Sequence, residues 1–141
     1  MKLKYIAFHV FCRSTQQPLI NGFWHQIAFT WSNTIGQWYF YINGTQIEGG
    51  IYGKGSTIQK GALILGQDQD SYMGGYDGDQ SLQGNLTGVN IWDRAFTPSE
   101  MASLAARCSN HQGNVVNWAE LILQKEKRFG EVKLICSPFC N

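Results

Sequence analysis

The stretch HQIAFTWSNTIGQWYFYINGTQ, residues 25–46, predicts two antiparallel strands and the tight turn that follows the second of them. Its first part alternates, so that its odd-numbered apolar residues share one face of a strand. The run 37–42 alternates in the same way and is rich in aromatic residues, as strands prefer. The Asn43-Gly44 pair after it is a strong hairpin signal, because both central residues of a type I′ turn need a positive φ.

Short apolar runs further along the chain extend this pattern. Residues 62–65 and 86–92 each predict a further strand, and Gly49-Gly50 predicts a loop turn. Many short strands separated by glycine-rich turns are typical of an antiparallel β-sandwich or barrel.

One segment departs from the strand pattern and predicts a short α-helix. Thr97 can cap this helix, Pro98 suits its first position, and Glu100 can close a capping box. Apolar residues at positions 101, 104 and 105 then recur at helical spacing. We expect the helix to end near Arg107 and its apolar stripe to pack in the core.

The N-terminal residues allow two interpretations. Lys2 and Lys4 precede an apolar stretch, residues 5–11, that has the form of a very short signal peptide. This stretch only reaches the lower length limit for such a segment, His9 interrupts it, and no Ala-x-Ala-like cleavage site follows. A β-strand is therefore the favoured prediction.

Composition and charge exclude several classes of protein. The 141 residues suit one domain, and 43% hydrophobic against 15% charged residues favours a packed core over disorder. The formal net charge of +1 gives no electrostatic argument for binding nucleic acid or an anionic membrane. No apolar run approaches the roughly 20 residues that a membrane-spanning helix needs. We therefore expect neither a nucleic-acid partner nor membrane insertion.

Residues 65–80, LGQDQDSYMGGYDGDQ, concentrate the polar groups that could carry chemistry. They hold four aspartates and three side-chain amides, and their glycines let the chain turn sharply. Calcium takes about six to eight oxygen ligands from carboxylates, amide carbonyls and backbone carbonyls, and this loop can supply most of them. It is not an EF-hand, because the Asp-x-Asp-x-Asp-Gly pattern and the terminal Glu are missing. The alternative is a solvated acidic surface loop.

The order and spacing of several motifs resemble those of the pentraxin family. They look like the family's signature strand, its calcium loop, a strand ending in Trp-Asp, its one helix and a Gly-Asn-x-x-x-Trp segment. The matching residues are 24–31, 65–70, 74–75, 77, 80–81, 84, 90–93, 97–100 and 113–118. The resemblance spans residues 23–118 and implies an all-β fold. That fold is an antiparallel jelly-roll β-sandwich of the concanavalin A or laminin G type, with one short α-helix.

The resemblance also implies how the chain is divided. Residues 1–141 would form a single pentraxin-like domain that is incomplete at its N-terminus, with residues 119–141 as a cysteine-containing tail. The family's Asp-Asn pair, which helps to hold one calcium ion, has no counterpart in this sequence. The residues that contact phosphocholine in the family's best-known members have none either.

Calcium ligands follow from the same resemblance. Asp68 and Asp70 would bridge two calcium ions through their carboxylates, and Gln69 would donate its backbone carbonyl to one of the ions. Asp77 and Gln80 would complete the shell of the second ion. Asp68 stands where a glutamate is common, so its reach is shorter.

The cysteines predict at least one disulfide. Cys108, Cys136 and Cys140 lie within the last 34 residues. This clustering, with the extracellular context that the resemblance implies, predicts a disulfide from Cys108 to Cys136 or Cys140. Cys12 then stays free or pairs with the cysteine that is left over. Ala28 stands where the family signature has a cysteine, so that family disulfide cannot form.

The predicted function is calcium-dependent extracellular recognition by a lectin-like module. Its ligand would be a phosphorylated small molecule or a polysaccharide, bound through calcium held in the loop. The alternative is an adhesion or oligomerisation domain of a larger extracellular protein, with a protein partner or a homo-oligomer and with purely structural calcium. Sequons at Asn43 and Asn85 would be glycosylation acceptors in a secreted chain.

An enzyme is not expected. Sugar hydrolases occur on related sandwich folds, and their chemistry needs two carboxylates flanking the scissile bond, about 5–9.5 Å apart. In this sequence the glutamates are dispersed and the aspartates cluster in one loop.

Overall fold

In this computed structural model the structure describes residues 5–14, by their backbone, and residues 22–106 and 111–123. These residues form five strands, two α-helices and one 3₁₀ turn. The strands are β1 (Tyr5–Ser14), β2 (His25–Ser32), β3 (Gln37–Ile42), β4 (Thr45–Ile51) and β5 (Gly84–Trp92). The helices are α1 (Pro98–Ala106) and α2 (Trp118–Leu123), and the 3₁₀ turn is Gly78–Gln80.

The five strands make one antiparallel sheet in the order β4-β3-β2-β1-β5. The N-terminal segment, predicted to be a strand, is β1 and lies between β2 and β5. Its register sets Cys12 opposite His25 and Ala7 opposite Trp92. The sheet therefore joins segments that are far apart in sequence, such as the paired residues 7 and 92.

The predicted hairpin between β3 and β4 is confirmed. Asn43 and Gly44 have φ values of 51° and 75°, the two positive angles that a type I′ turn requires. Gln26 of β2 holds this turn, since its side-chain Oε1 accepts a hydrogen bond from the Gly44 amide at 2.7 Å. The backbone amide of Gln26 in turn donates a hydrogen bond to Oδ1 of Asn43 at 3.0 Å.

Helix α1 covers one face of the sheet and makes the core with it. The buried cluster consists of Ala28, Tyr41, Trp92, Phe96, Met101 and Leu104. The predicted capping box is present, because the Thr97 amide donates to Glu100 and the Glu100 amide donates back to Thr97. The helix reaches the hairpin turn so closely that a Cβ on Gly44 would lie 2.8 Å from the Cβ of Ala105. The apolar stripe of α1 is thus core packing, as predicted.

The opposite face of the sheet carries Phe29, Trp31, Trp38 and Phe40 of β2 and β3, whereas Tyr39 packs against the core cluster. Phe29 and Trp38 stack there, with 6.2 Å between their ring centroids. With Trp31, Ile51 and Tyr52 they line an open groove of about 480 Å³. The face of β2 and β3 that holds more aromatic residues is therefore not the face that α1 covers.

Two local predictions were wrong. Residues 62–65 are not a strand, although their apolar run resembles one. Gly49 and Gly50 are not a loop turn but lie inside β4. Each faces an aromatic ring of β3, and a Cβ on Gly49 would come within 2.5 Å of the Tyr39 ring. The glycines leave room for these rings, so the side chains of the neighbouring strand β3 explain why glycine stands at both positions.

The Gly-Asn-x-x-x-Trp segment, residues 113–118, packs against the outer edge of β5. Ile91 exchanges backbone hydrogen bonds with Val115 and Val116. The buried side chain of Asn90 accepts hydrogen bonds from the amides of Gly113 and Trp118, at 3.0 and 3.3 Å. This segment leads into α2, a second helix that the sequence analysis did not predict. No helix in the described parts of the chain is long and apolar enough to cross a membrane.

Candidate metal centre

The predicted calcium loop is one closed unit, residues 66–82. Its base is joined by a hydrogen bond of 2.8 Å from the Leu82 amide to the Gly66 carbonyl. Its two arms are tied by a hydrogen bond of 2.7 Å from Nε2 of Gln67 to the backbone carbonyl of Asp77. The loop therefore holds Asp68 and Asp70 on one arm and Asp77 and Gln80 on the other within one small structure.

The first arm is ordered by its own side chains. Oδ1 of Asp68 accepts a hydrogen bond from the Gln69 amide at 2.9 Å. The Gln69 side chain donates to the Ala62 carbonyl and accepts from the Met73 amide, both at 3.3 Å. Because the side-chain amide of Gln69 is used in this way, its backbone carbonyl remains the group predicted to bind an ion.

Between the arms, residues 70–75 form a narrow hairpin. Ser71 and Gly74 exchange two backbone hydrogen bonds, of 3.2 and 3.1 Å. At the base of the hairpin, Gly75 packs directly on Asp70, and a Cβ at Gly75 would lie 2.8 Å from the Cβ of Asp70. Gly75 therefore has to be glycine for Asp70 to keep its place, and its φ of +72° requires the same.

The second arm turns through the 3₁₀ segment Gly78–Gln80. Asp77 caps this segment, with its Oδ1 accepting a hydrogen bond from the Asp79 amide at 3.0 Å. The Gln80 amide donates to the Asp77 carbonyl at 3.1 Å. Asp77 and Gln80 therefore lie at the start and the end of one tight turn.

The loop fits calcium by its donor set. All its candidate side-chain ligands are oxygen donors, and Asp68, Asp70, Asp77 and Gln80 are exposed. The one salt bridge among the described residues joins Arg94 to Glu100, outside the loop, so no lysine or arginine there neutralises these aspartates. An uncompensated all-oxygen donor set is what a hard divalent cation requires.

The structure brings these residues into one loop but not into one coordination shell. Within the described ranges, no three His, Cys, Asp or Glu side chains converge to hold a metal ion. Carboxylates repel one another at short range, and a cation offsets that repulsion. The ligand set Asp68, Gln69, Asp70, Asp77 and Gln80 therefore stays a prediction.

Gln67 is the structural residue of the loop that the sequence analysis passed over. Its Oε1 accepts from the Asp68 amide at 2.9 Å while its Nε2 reaches Asp77. Its position immediately before the first aspartate was the only feature of the sequence that could have indicated its role. A side chain long enough to cross a loop gives no local pattern.

The remaining predicted sites divide by where they lie. Cys108, Cys136 and Cys140 fall outside the described residues, so the disulfide stays a prediction. The two sequons are described, and their surroundings differ. Asn85 is exposed near the start of β5. The Asn43 side chain instead belongs to the hairpin turn, with its Nδ2 3.2 Å from Nδ1 of His25.

Comparison with known proteins gives a consistent family assignment. The model of the Pentaxin family, also spelled pentraxin, matches residues 7–132. The chain is 36% identical over 136 residues to the rat protein "Sushi, von Willebrand factor type A, EGF and pentraxin domain-containing protein 1". That match covers 90% of this chain and 4% of the relative. Rat neuronal pentraxin-1 is 41% identical over 109 residues, covering 71% of this chain and 24% of the relative. The chain thus spans a small part of the length of both relatives.

A solved structure shows the fold. The native heptameric SAP-like pentraxin of Limulus polyphemus superposes with a TM-score of 0.73 and 20% sequence identity. The likeness covers 84% of this chain and 78% of that chain. The predicted jelly-roll β-sandwich is thereby confirmed.

Proposed function

Because the chain belongs to the pentraxin family, we propose that it is a calcium-dependent extracellular recognition module that binds a phosphorylated or carbohydrate ligand through loop-bound calcium. Members of the family are in general calcium-dependent, ligand-binding recognition proteins rather than enzymes. The related pentraxins are secreted or extracellular proteins.

One observation carries the proposal: the loop 66–82 exposes its aspartates while hydrogen bonds within the loop hold it in shape. Gln67, Gln69 and the Asp77 cap are used to order the backbone. An ion held by Asp68, Asp70 and Asp77 at the surface would keep coordination positions open, and a ligand oxygen could fill them. A buried ion would bind no external ligand.

The two arms would contribute unequally. Asp68, Asp70 and the Gln69 carbonyl lie close in sequence and suit one ion. Asp77 and Gln80 lie on the other arm of the loop and would close over this ion.

The experiment is calorimetric titration with calcium, followed by affinity chromatography. We expect binding at about 10⁻⁴–10⁻³ M, the range of extracellular modules. We also expect retention on immobilised phosphocholine or polysaccharide that a chelator reverses. No calorimetric heat up to several millimolar calcium, with identical melting in calcium and chelator, would mean that the loop is only an acidic turn.

A second candidate is an adhesion or oligomerisation domain with purely structural calcium. The rat relative favours it, since its name combines a pentraxin domain with three other domain types and this chain covers 4% of it. The Limulus pentraxin is heptameric, so a homo-oligomer of this chain would match the assembly of that protein. Calcium binding without retention on any immobilised phosphocholine or polysaccharide would favour this candidate.

A further inference from the structure

The two edges of the sheet differ in what covers them. At the β5 edge, Ile91 exchanges backbone hydrogen bonds with Val115 and Val116. The other edge strand is β4, and no strand in the described parts of the chain pairs with its outer side. An uncovered edge presents N–H and C=O groups to which a further strand can bond.

The outward-facing groups of β4 follow from its pairing with β3. Antiparallel residue pairs alternate between hydrogen-bonded and non-hydrogen-bonded ones. The Tyr52 amide donates to the Gly36 carbonyl at 2.8 Å, so the hydrogen-bonded pairs include Trp38 with Gly50. Gly49 and Ile51 therefore direct their backbone N–H and C=O groups away from β3.

The side chains of this edge do not prevent pairing with another strand. Residues 45–51 contain no lysine, arginine or proline, and lysine and proline often protect an edge strand. The β-bulge of β4 lies at Ile47, so residues 48–52 remain regular. Ile51 and Tyr52 are 68% and 80% exposed. The edge thus offers free backbone groups next to apolar side chains.

We propose that β4 pairs with β4 of a second copy of this chain, antiparallel and about a twofold axis at Gly50. In this register Gly49 lies opposite Ile51 of the second copy, and each such pair exchanges two backbone hydrogen bonds. Gly50 faces its own copy, and without a side chain it lets the two backbones approach. Glu48, the only charged residue of β4, lies opposite Tyr52 of the second copy, so two negative charges do not face each other.

Neighbouring registers use fewer of the outward-facing groups. An axis at Ile51 would set Gly49 opposite Gly53, where a φ of +66° turns the chain out of the strand. An axis at Gly49 would set Ile51 opposite Ile47, which lies in the bulge. Of these three registers, the one centred on Gly50 alone pairs Gly49 with Ile51 on both sides of the axis.

A second copy is the occupant that this edge fits, because a twofold contact uses the same surface on both molecules. Residues 113–118 lie along the opposite edge of the sheet, so pairing at β4 closes a dimer and does not extend into a filament. The contact involves few residues on each side, so we expect a weak and reversible dimer. None of these residues lies in the loop 66–82, and the inference is independent of the proposed function.

The first test is sedimentation velocity of the full chain over a series of concentrations, in chelator. Ile51→Pro removes an outward N–H that the β3–β4 pairing does not use, a change that edge strands tolerate. Ile51→Ala is the matched control, because it shortens the same side chain and keeps the N–H. We expect the wild-type chain to dimerise reversibly, and we expect Ile51→Pro to weaken the dimer at least about tenfold relative to Ile51→Ala.

A cross-link tests the register without the proline variant. Glu48 and Tyr52 of the second copy form a non-hydrogen-bonded pair, whose Cα atoms lie about 4.5 Å apart, within reach of a disulfide. The double variant Glu48→Cys with Tyr52→Cys should therefore form an interchain disulfide on mild oxidation. Each single variant is a control, because the two copies of either residue lie roughly 13 Å apart along the strands in this register. Peptide mapping distinguishes this disulfide from any that involves the four native cysteines.

Contrary results overturn different parts of the proposal. A wild-type chain that stays monomeric at every concentration, with no disulfide between positions 48 and 52 of two copies, overturns it entirely. A dimer that Ile51→Pro and Ile51→Ala weaken equally forms through another surface and also overturns it. A dimer that depends on the N–H of Ile51 but gives no such disulfide overturns the axis at Gly50. If Ile51→Pro does not fold, as circular dichroism would show, the disulfide decides.

Discussion

The hairpin–helix core and the calcium loop satisfy their polar groups in opposite ways. In the core, the backbone amide of Gly44 donates to Oε1 of Gln26 and the backbone amide of Gln26 donates to Oδ1 of Asn43. Thr97 and Glu100 cap α1 reciprocally. In the loop, amides are used to hold the backbone while four aspartates face solvent. The turn and the helix cap thus use partners within the chain, whereas the loop exposes charges that it does not neutralise.

Met101→Ala should have the largest effect, because it tests the claim that the core carries the stability. Met101 is fully buried under the sheet. Truncating such a side chain costs about 2–5 kcal/mol through lost contacts and the cavity left behind. The measurement is denaturant unfolding with and without calcium, and the matched control is Met73→Ala in the loop. A loss below about 1 kcal/mol for Met101→Ala would show that α1 packs loosely.

Asp70→Asn tests the calcium loop, the second of the two regions compared. Calcium at ten times its dissociation constant stabilises the folded state by about 1.4 kcal/mol. Asp70→Asn keeps the size of the side chain but removes a charge from the ion's shell, so most of this gain should vanish.

The control for Asp70→Asn is Glu48→Gln, which removes an exposed charge from β4 and should keep the full calcium response. Thermal melts in calcium and in chelator measure both variants. Equal calcium shifts in the two variants would remove Asp70 from the ligand set.

The helix cap predicts a smaller effect that depends on pH. The backbone hydrogen bond from Thr97, helped by Arg94, lowers the pKa of Glu100 from its ordinary value of 4.5. A carboxyl whose pKa is lower in the folded state stabilises the protein at pH values above its ordinary pKa. This stabilisation is lost as pH falls through the folded-state pKa. Wild type should therefore melt above Glu100→Gln at neutral pH, and the difference should shrink in acid.

This comparison is made in chelator, so that proton binding by the calcium loop is the same in both proteins. A difference in melting temperature that stayed constant from neutral to acidic pH would show that the charge of Glu100 contributes nothing to the cap.

Met73→Gly should have the smallest effect. Met73 has a φ of +54°, which an L-residue adopts at a cost and glycine adopts freely. Glycine also makes the unfolded chain more flexible, which costs about 0.4–1 kcal/mol. The two terms oppose each other, so the free energy of unfolding should change by less than about 1 kcal/mol. A larger loss, seen in the same denaturant titrations, would show that the Met73 side chain packs on the hairpin.

Features with a local cause were predictable from the sequence. The Asn43-Gly44 turn follows from the two positive φ angles that this pair accepts, and the capping box follows from the spacing of Thr97 and Glu100. The calcium loop could be proposed, and stays a prediction, because its oxygen donors lie within a short stretch of chain. Each of these depends on residues a few positions apart, so the order of the amino acids determines them directly.

Features with a distant cause were decided by the tertiary structure. Gly49 and Gly50 form a strand because aromatic rings of β3 occupy the space where side chains would be. Helix α1 covers the face of Ala28 and Tyr41 rather than the more aromatic one, because it approaches over the turn at Gly44. Gln67 joins the two arms of the loop across ten residues. In each case the energy comes from contacts between segments that meet only in the folded chain, and hydrophobic periodicity along one segment carries no record of what will pack against it.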